Sequence, residues 1–231
     1  MATPPIFVHL QTVSSTQDEA RSRFLDAPVL VTAARQTAGR GRGGSVWETA
    51  DRAIAASVAF RPPWPEAAWP LVPAVAGLAA LDVLGDGCLL KWPNDVILGG
   101  SKVAGILVES SGAVVVAGIG VNLWWPTPIP GAGAICPGDP GPERGRRLAE
   151  DWARLLLERI EAGPEDWGRD EYLARSATVG SAVTWEPDGA GRAVGIGPLG
   201  GLIVQTARGT VVLDSGIVRL VRTEGAGSAS G

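Results

Sequence analysis

The sequence predicts an α+β fold, in which a mixed β-sheet flanked by helices is followed by a small β-barrel. Helical and strand-like patterns alternate over residues 1–176, whereas short Val/Ile/Gly segments follow one another over residues 177–223. Such a run of short strands closes readily into a barrel, because closure hides the strand edges. Residues 224–231 are rich in Gly, Ser and Ala, which predicts a disordered tail.

Composition and charge narrow the class of protein. The chain has 231 residues, of which 45% are hydrophobic, so it can bury a sizeable core. A formal net charge of −4 argues against a general nucleic-acid binder. The two cysteines, Cys88 and Cys136, form no CxxC motif, which argues against a cysteine-based zinc site and fits a reducing compartment. Residues 1–10 do not resemble a signal peptide, and we expect a cytoplasmic protein without a membrane span.

The individual elements follow from apolar segments and the residues that bound them. Ser15 lies among the N-cap candidates of a first helix, and Gly85 is suited to end the Ala/Leu-rich second one. Gly99 and Gly100 predict a tight hairpin turn, and Gly112 predicts another. The predicted strands of the larger domain are residues 6–10, 29–34, 53–60, 89–92, 96–98, 102–109 and 113–123. The predicted helices are residues 16–25, 70–84, 146–160 and 165–175, with a Pro/Gly-rich loop at 125–142. The small domain is expected to contain strands at residues 182–186, 193–196, 202–206, 210–213 and 217–221.

Residues 36–47 interleave arginines with glycines directly after the second strand. Arg40 and Arg42 carry donors that suit phosphate or carboxylate, and the glycines let backbone N–H groups approach an anion. On a mildly acidic protein this local patch favours a small anionic ligand. The alternative is a flexible turn with solvated arginines.

The same segment matches two other phosphate-binding patterns. Gly39, Gly41 and Gly44 satisfy GxGxxG. A dinucleotide fold needs a helix directly after the glycines, but residues 45–48 look extended. A protein kinase needs a catalytic-loop histidine and a DFG motif, and the chain has only His9, which we interpret as structural. Neither pattern therefore has its required context.

Residues 91–95, Lys-Trp-Pro-Asn-Asp, concentrate functional residue types at one turn. Asn94 and Asp95 can cap backbone groups or face a ligand. A single carboxylate is also enough for Mg²⁺ that binds phosphate oxygens at the same time. The alternative is a well-capped turn around a buried Trp92.

Lys102 opens an apolar strand, and strict alternation places it on one face with Ala104, Ile106 and Val108. A lysine at this position either guards an edge strand or supplies a point charge for a carboxylate or phosphate.

Gly118, Gly120 and Asn122 alternate along the next strand and are expected to share one face. Two bare positions beside an amide form a floor on which a ligand can lie closely. A β-bulge or a barrel bend is the alternative explanation for the glycines.

In combination these motifs resemble those of the biotin–protein ligases, in order and spacing over almost the whole chain. The segments that carry the resemblance are residues 15–17, the GRGR loop at 36–47, KWPND at 91–95, K-x-x-G-I-L-x-E at 102–109 and G-I-G-x-N at 118–122. The resemblance implies a catalytic core like that of class II aminoacyl-tRNA synthetases and lipoate ligases at 1–176. It also implies an SH3-like barrel at 177–223.

The resemblance implies a two-step reaction with biotin, ATP and Mg²⁺. The carboxylate of biotin attacks the α-phosphate of ATP, which gives biotinyl-5′-AMP and pyrophosphate. The ε-amine of a lysine on a biotin carboxyl carrier protein then attacks the mixed anhydride and releases AMP. Such chemistry needs positioning and electrostatic stabilisation, and no enzyme nucleophile.

Site residues are assigned by the same resemblance. Lys102 and Arg42 would be catalytic, and Asp95 would hold Mg²⁺. The biotin-binding set would be Ser15, Thr16, Gln17, Gln36, Gly39, Arg40, Gly41, Arg42, Lys102, Gly105, Leu107, Gly118 and Gly120. The ATP-binding set would be Arg40, Arg42, Trp47, Lys91, Asn94, Asp95, Lys102 and Asn122.

Two departures from the family pattern accompany the resemblance. Ser45 stands where the family usually has a further arginine, and Gln17 stands where asparagine is more usual.

The chain has no room for an N-terminal winged helix, so we expect no DNA binding; a homodimer is possible in this family. A lipoate or octanoate ligase on the same core and a non-catalytic biotin-binding protein stay open as alternatives.

Overall fold

The computed structural model describes residues 4–44, 47 and 50–221. Ser45 and the predicted tail at 224–231 lie outside the described residues. The strands are β1 (Ile6–Val13), β2 (Val29–Gln36), β3 (Arg52–Phe60), β4 (Cys88–Lys91), β5 (Asp95–Leu98), β6 (Ser101–Ser111), β7 (Val114–Trp124), β8 (Ala182–Trp185), β9 (Gly189–Ile196), β10 (Leu202–Thr206), β11 (Gly209–Leu213) and β12 (Val218–Leu220). The α-helices are α1 (Thr16–Arg23), α2 (Val72–Leu84), α3 (Pro142–Glu161) and α4 (Arg169–Ala174), and 3₁₀ segments lie at Arg42–Gly44 and Glu66–Leu71.

The strands form a seven-stranded mixed sheet and a separate five-stranded antiparallel sheet. The order in the large sheet is β1-β2-β3-β7-β6-β5-β4, and only β1 and β2 run parallel. The order in the small sheet is β11-β10-β9-β8-β12. The predicted mixed sheet with flanking helices is therefore confirmed, and the predicted short C-terminal strands form a second sheet.

The starts of three helices differ from the sequence prediction, and the first helix ends at Arg23, two residues earlier than predicted. The second helix is preceded by the 3₁₀ segment Glu66–Leu71, which contains Pro70. The third begins at Pro142 instead of residue 146, because proline is well suited to the first helical turn, where its missing N–H has no partner to lose. The fourth begins at Arg169 instead of residue 165, because Gly168 adopts a left-handed conformation (φ +90°) that interrupts a helix.

Helices α2 and α3 cover one face of the large sheet and form the main core. α2 is buried along almost its whole length, from Val72 to Leu84. Residues Glu66–Leu84 are long and apolar enough to cross a membrane (mean hydropathy 1.7), but 67% of this window is buried inside the fold. Their composition is thus accounted for by packing against the sheet and α3. α1 covers the opposite face with a smaller apolar cluster around Ala20.

A β-bulge in β6 changes the side-chain alternation at Lys102. Val96 pairs with Ala104, but its neighbour Ile97 pairs with Lys102, so one extra residue, Val103, is accommodated in β6. The bulge moves the Lys102 side chain to the face of Gly105, away from the buried Ala104. The prediction that Lys102 shares a face with Ala104, Ile106 and Val108 is therefore wrong.

The linker after α4 and the small sheet are joined by hydrogen bonds to Leu90 and to the 91–95 turn. Leu90 pairs with the linker after α4, donating to the Arg175 carbonyl and accepting from Ala177. The Trp92 backbone N–H donates to the hydroxyl of Thr178 (2.9 Å), and its indole N–H donates to the Gly200 carbonyl (2.9 Å). The turn is thus held between the large sheet and the C-terminal segment.

Candidate functional site

A cavity of about 760 Å³ opens where β2, β3, α1, β6, β7, the glycine–arginine loop and the 91–95 turn meet. The segment between β11 and β12 closes one side of it. The residues that line the cavity and that sequence reasoning selected are Ser15, Thr16, Gln17, Gln36, Arg40, Gly41, Arg42, Trp47, Lys91, Asn94, Asp95, Lys102, Gly105, Leu107, Gly118 and Gly120. Residues distant in sequence are therefore assembled around one space of a size typical of small-molecule sites.

The start of α1 contributes a buried polar network. Gln36 Oε1 accepts hydrogen bonds from the Thr16 backbone N–H (2.8 Å) and from its hydroxyl (3.1 Å). Thr16 also shares a 2.8 Å hydrogen bond with Ser57. Because both bonds occupy the carbonyl oxygen of Gln36, the orientation of its amide is set and its NH₂ group remains as a donor on the cavity wall.

Gln17 supplies the opposite kind of group. It is 5% exposed, and its NH₂ donates to the Leu107 carbonyl (3.3 Å) and to Glu109 (3.4 Å). Its carbonyl oxygen is buried and has no hydrogen-bond partner within the described part of the chain. A buried acceptor without a partner carries a free-energy cost of about 1–3 kcal/mol, which a ligand N–H would relieve.

The predicted glycine floor is present and carries an indole ring. Gly105 of β6 and Gly120 of β7 are paired across the sheet. A Cβ at Gly120 would lie 2.6 Å from the ring of Trp47, and one at Gly105 would lie 2.9 Å from it. At Gly118 a Cβ would lie 2.9 Å from Gln17 Oε1. Each glycine is thus required for close approach, and the bulge or bend explanation is not needed at these positions.

Lys102, Lys91 and Asp95 form a charged cluster at the other end of the cavity. Lys102 Nζ lies 2.6 Å from Asp95 Oδ1, and Lys91 Nζ lies 3.7 Å from Asp95 Oδ2. Lys102 Nζ also lies 5.4 Å from the centre of the Trp47 ring, within range of a cation–π contact. Two ammonium groups face one carboxylate, so this end of the cavity carries excess positive charge.

Asn94 connects the 91–95 turn to the glycine–arginine loop. Its NH₂ donates to the Ile106 carbonyl (2.7 Å), which orients the amide, and its oxygen accepts from Arg42 Nη1 (3.3 Å). Gly43 and Gly44 in the same loop have φ values of +63° and +79°, which glycine adopts without strain. We call residues 39–44 the lid.

Arg40 points away from the charged cluster of Lys102, Lys91 and Asp95, towards α1 and β6. Its guanidinium forms two hydrogen bonds with Asp18 (2.7 and 2.8 Å) and one with Glu109 (3.2 Å). The hydrogen bond from Arg40 holds the pKa of the Asp18 carboxyl below its ordinary value.

Two predicted site residues do not line the cavity. Gly39 lies beside Gln36 and Trp47, with a hypothetical Cβ 3.1 Å from the Gln36 amide nitrogen. Asn122 is 3% exposed and donates to the Gly133 carbonyl (3.1 Å), while its own side-chain oxygen has no partner among the described residues. Asn122 follows Gly120 on the same face of β7 but lies beside the 131–136 segment.

Some lining or supporting residues were missed. Ser57 completes the Thr16 network, and Glu109 binds Arg40; the acidic end of the K-x-x-G-I-L-x-E motif could have indicated Glu109. Ser215, Gly216, Ile217 and Val218 also line the cavity, and no local pattern marks them.

The remaining reactive side chains lie elsewhere. His9 is exposed and shares a 2.9 Å hydrogen bond with Thr32. Cys88 is buried, and burial raises the pKa of its thiol, which makes it less nucleophilic. Within residues 4–44, 47 and 50–221, no group of three or more His, Cys, Asp or Glu side chains is placed to hold a metal ion.

Comparison with known proteins agrees with this geometry. A profile of the Biotin/lipoate A/B protein ligase family matches residues 9–123. The biotin–acetyl-CoA-carboxylase ligase of Paracoccus denitrificans is 36% identical over 83% of this chain and 90% of its own length. The enzyme of the same name from Mycobacterium tuberculosis is 37% identical over 90% of this chain and 86% of its own length.

A solved structure shows the same fold over nearly the full length of both chains. The biotin protein ligase of Aquifex aeolicus, in complex with biotin and ATP, superimposes with a TM-score of 0.80 and 25% identity, covering 94% of this chain and 99% of that one. From the ordered motifs, the cavity and these relatives, we conclude that the chain belongs to the biotin–protein ligase family.

Proposed function

We propose that this chain is an ATP-dependent ligase that activates biotin as biotinyl-5′-AMP and transfers it to a specific lysine of a biotin carboxyl carrier protein. The observation that carries the proposal is a single cavity with two chemically distinct ends. One end offers the half-buried amide donor of Gln36 and the buried amide acceptor of Gln17, and the other offers the ammonium groups of Lys102 and Lys91. A neutral cyclic urea and a reacting carboxylate at opposite ends of one ligand match this arrangement.

The biotin end would be recognised by the α1 network. We assign the Gln36 NH₂ group to a ligand carbonyl and the Gln17 carbonyl oxygen to a ligand N–H. Ser15 and Thr16 lie at the same end of the cavity and are 1% and 3% exposed. The bare floor at Gly118 and the side of Leu107 would contact the apolar part of the ligand.

The reacting end would be stabilised by Lys102 and Arg42. In the first step, the biotin carboxylate oxygen forms a bond to the α-phosphorus of ATP, and the bond to pyrophosphate breaks. Negative charge spreads over the phosphoryl oxygens in the transition state, where fixed cations are most effective. In the second step, the acceptor amine forms an amide with the biotinyl carbon, releases AMP and loses a proton.

The nucleotide would lie between the lid and the 91–95 turn. We assign Trp47 to stacking on adenine and Lys91 and Asn94 to contacts with the nucleotide, as the family resemblance implies. Asn122, which the resemblance also places at the nucleotide, is buried beside the 131–136 segment outside the cavity, so we assign it no nucleotide contact. Both carboxylate oxygens of Asp95 face ammonium groups, a geometry that does not fit direct coordination of a metal ion. We therefore propose that Mg²⁺ enters with the phosphates of ATP as part of the substrate.

The wider assignments follow from the family. We propose that residues 1–176 are the catalytic domain and that the five-stranded sheet, within 177–223, is its SH3-like domain. The names of the Paracoccus and Mycobacterium relatives point to the carrier domain of acetyl-CoA carboxylase as the acceptor. A cytoplasmic location and a homodimer remain part of the same proposal.

The function is tested with purified protein, biotin, MgATP and a carrier domain, with intact-mass measurement of the carrier. We expect one biotinyl group on the carrier and none on a carrier whose acceptor lysine is replaced by arginine. Lipoate and octanoate in place of biotin test the alternative substrates, and their transfer in preference to biotin would overturn the proposal. Tight biotinyl-AMP binding without any transfer would show a non-catalytic binding protein instead.

A further inference from the structure

The Arg40 guanidinium lies between two carboxylates that come from different elements. Asp18 belongs to α1 and binds Arg40 through two short hydrogen bonds, whereas Glu109 belongs to β6 and binds one of the same nitrogens. Two parallel N–H···O bonds between a guanidinium and a carboxylate give both strength and a fixed orientation. The charge of Arg40 is thus compensated inside the protein.

Among the described residues, the backbone attachments of the lid lie at its start, where the Gly39 carbonyl accepts a hydrogen bond from the Trp47 N–H (3.3 Å). The backbone N–H groups of Thr37 and Ala38 donate to Val13 and Ser14 before the lid begins. Within the lid, the glycines provide backbone freedom rather than stiffness. The side chain of Arg40 therefore ties the first half of the lid to the α1 and β6 elements, and that of Arg42 reaches Asn94 in the second half.

The two elements that hold Arg40 also build the proposed biotin end of the cavity. Gln17 is the chain neighbour of Asp18, and its amide bonds both Leu107 and Glu109. A closed lid is consequently coupled to the walls against which biotin would lie.

We propose that Arg40 is a positioning residue that latches the lid closed through Asp18 and Glu109, and that it is not a phosphate ligand. The three side chains form what we call the lid latch. Arg42 is then the arginine that serves the reacting phosphate. The latch itself is independent of the ligand, and only its effect on the retention of biotinyl-AMP rests on the proposed function.

Hydrogen–deuterium exchange of peptides containing residues 39–44, in the free protein at low ionic strength, tests the latch directly. Asp18→Asn is expected to raise lid exchange about fivefold, the upper range for a solvent-exposed ion pair. Near 1 M salt the variant and the wild type should converge, since exposed charges are screened over about 3 Å at that ionic strength. Glu19→Gln is the matched control, because it removes the exposed Glu19–Arg23 ion pair of the same helix without touching the lid.

A double-mutant cycle separates the latch from direct phosphate binding. The lid of the double variant Asp18→Asn/Arg40→Gln should exchange no faster than that of Arg40→Gln alone, since both substitutions remove the same Asp18–Arg40 interaction. Lid exchange that is unchanged in Asp18→Asn and in Glu109→Gln would overturn the proposal. So would a loss of ATP affinity in Arg40→Gln that Asp18→Asn does not share.

The rate at which biotinyl-AMP is released tests whether the lid latch affects function. Release of preformed biotinyl-AMP, chased with excess biotin, should be about fivefold faster in Asp18→Asn than in wild type or Glu19→Gln. An identical release rate in Asp18→Asn and wild type would refute the role in retention. If the wild type binds no biotinyl-AMP, the proposed function fails, while exchange in the free protein still decides the latch.

Discussion

Gly105 and Gly120 face each other across the β6–β7 ladder, and the indole of Trp47 rests on both. Pairing of two residues without side chains leaves a flat patch of backbone in the middle of the sheet. The ring of Trp47 comes within the distance at which any Cβ would collide with it. The position of Trp47 in the cavity therefore depends on two residues that are 15 positions apart in sequence.

Gly120→Ala is expected to displace the Trp47 ring and to weaken biotin binding about 10- to 100-fold. The added Cβ would lie 2.6 Å from the ring, and overpacking of this kind costs about 1–3 kcal/mol. Titration calorimetry with biotin measures the effect. Gly138→Ala is the control, because no described atom lies within 4 Å of its added Cβ. Equal affinity in Gly120→Ala and wild type would show that the floor does not shape the site.

Lys102→Ala is expected to reduce the rate of adenylation about 100- to 1,000-fold, the range for loss of one oriented transition-state contact. The side chain is 39% exposed, so the protein should stay folded. Pyrophosphate release with saturating biotin and ATP measures the rate, and far-UV circular dichroism checks the fold. Arg154→Ala is the control, because it also removes one positive charge but from the exposed surface of α3. A rate within threefold of wild type would remove Lys102 from the reacting end.

Thr178→Val should lower the free energy of unfolding by about 1–3 kcal/mol, because it leaves the buried N–H of Trp92 without its acceptor. The same change should raise the KM for ATP, since Trp92 adjoins Lys91 and the rest of the 91–95 turn. Urea denaturation and initial rates measure the two effects. Thr178→Ser keeps the hydroxyl and should restore both; failure of the serine variant to do so would point to lost methyl packing instead.

Asp82 links α2 to α3 and to the segment after α4, and it should make stability depend on pH in acid. It accepts from Arg159 (2.7 Å) and from Arg175 (2.8 Å). Burial alone raises the pKa of Asp82, but the hydrogen bonds from Arg175 and Arg159 outweigh it, and the pKa lies below its ordinary value. The resulting stabilisation is complete above the unfolded-state pKa of about 3.9 and disappears as pH falls through the lower folded-state pKa.

Asp82→Asn should therefore cost about 1 kcal/mol at pH 7 and flatten the decline in stability below about pH 4. Chemical denaturation at a series of pH values measures both effects. Asp151→Asn, which removes an exposed carboxylate 3.5 Å from Arg154, is the matched control and should leave the profile nearly unchanged. If the free energy of unfolding of Asp82→Asn and wild type changed with pH in parallel, the acid sensitivity could not be assigned to Asp82.

Local sequence patterns were sufficient to predict most of the strands and helices. The alternation of apolar residues predicted β6 and β7, and the paired glycines at 99 and 100 predicted a hairpin turn, in which both have positive φ (+57° and +81°). Positive φ at two successive residues is what a tight hairpin requires and what glycine alone tolerates easily. Such features depend on neighbours in sequence, so a sequence pattern can reveal them.

The face of Lys102 could not be read in the same way. Strict alternation predicted that Lys102 lies on the same face as Ala104. The extra residue in β6 opposite Ile97 breaks that alternation and puts the Lys102 side chain on the other face. Whether a strand accommodates an extra residue depends on its partner strand, which the pattern of a single strand does not contain.

Residue types and their order were enough to indicate the chemistry of the site: a glycine–arginine lid, a lysine near an Asn-Asp turn, and glycines on a strand. Three-dimensional pairing was needed to assign partners to those residues. Arg40 meets Asp18 across 22 positions and Glu109 across 69, and Ser215–Val218 close the cavity from the far end of the chain. The physical reason is that an ion pair or a cavity wall depends on distance in space. Folding of the sheet sets that distance, and separation along the chain does not.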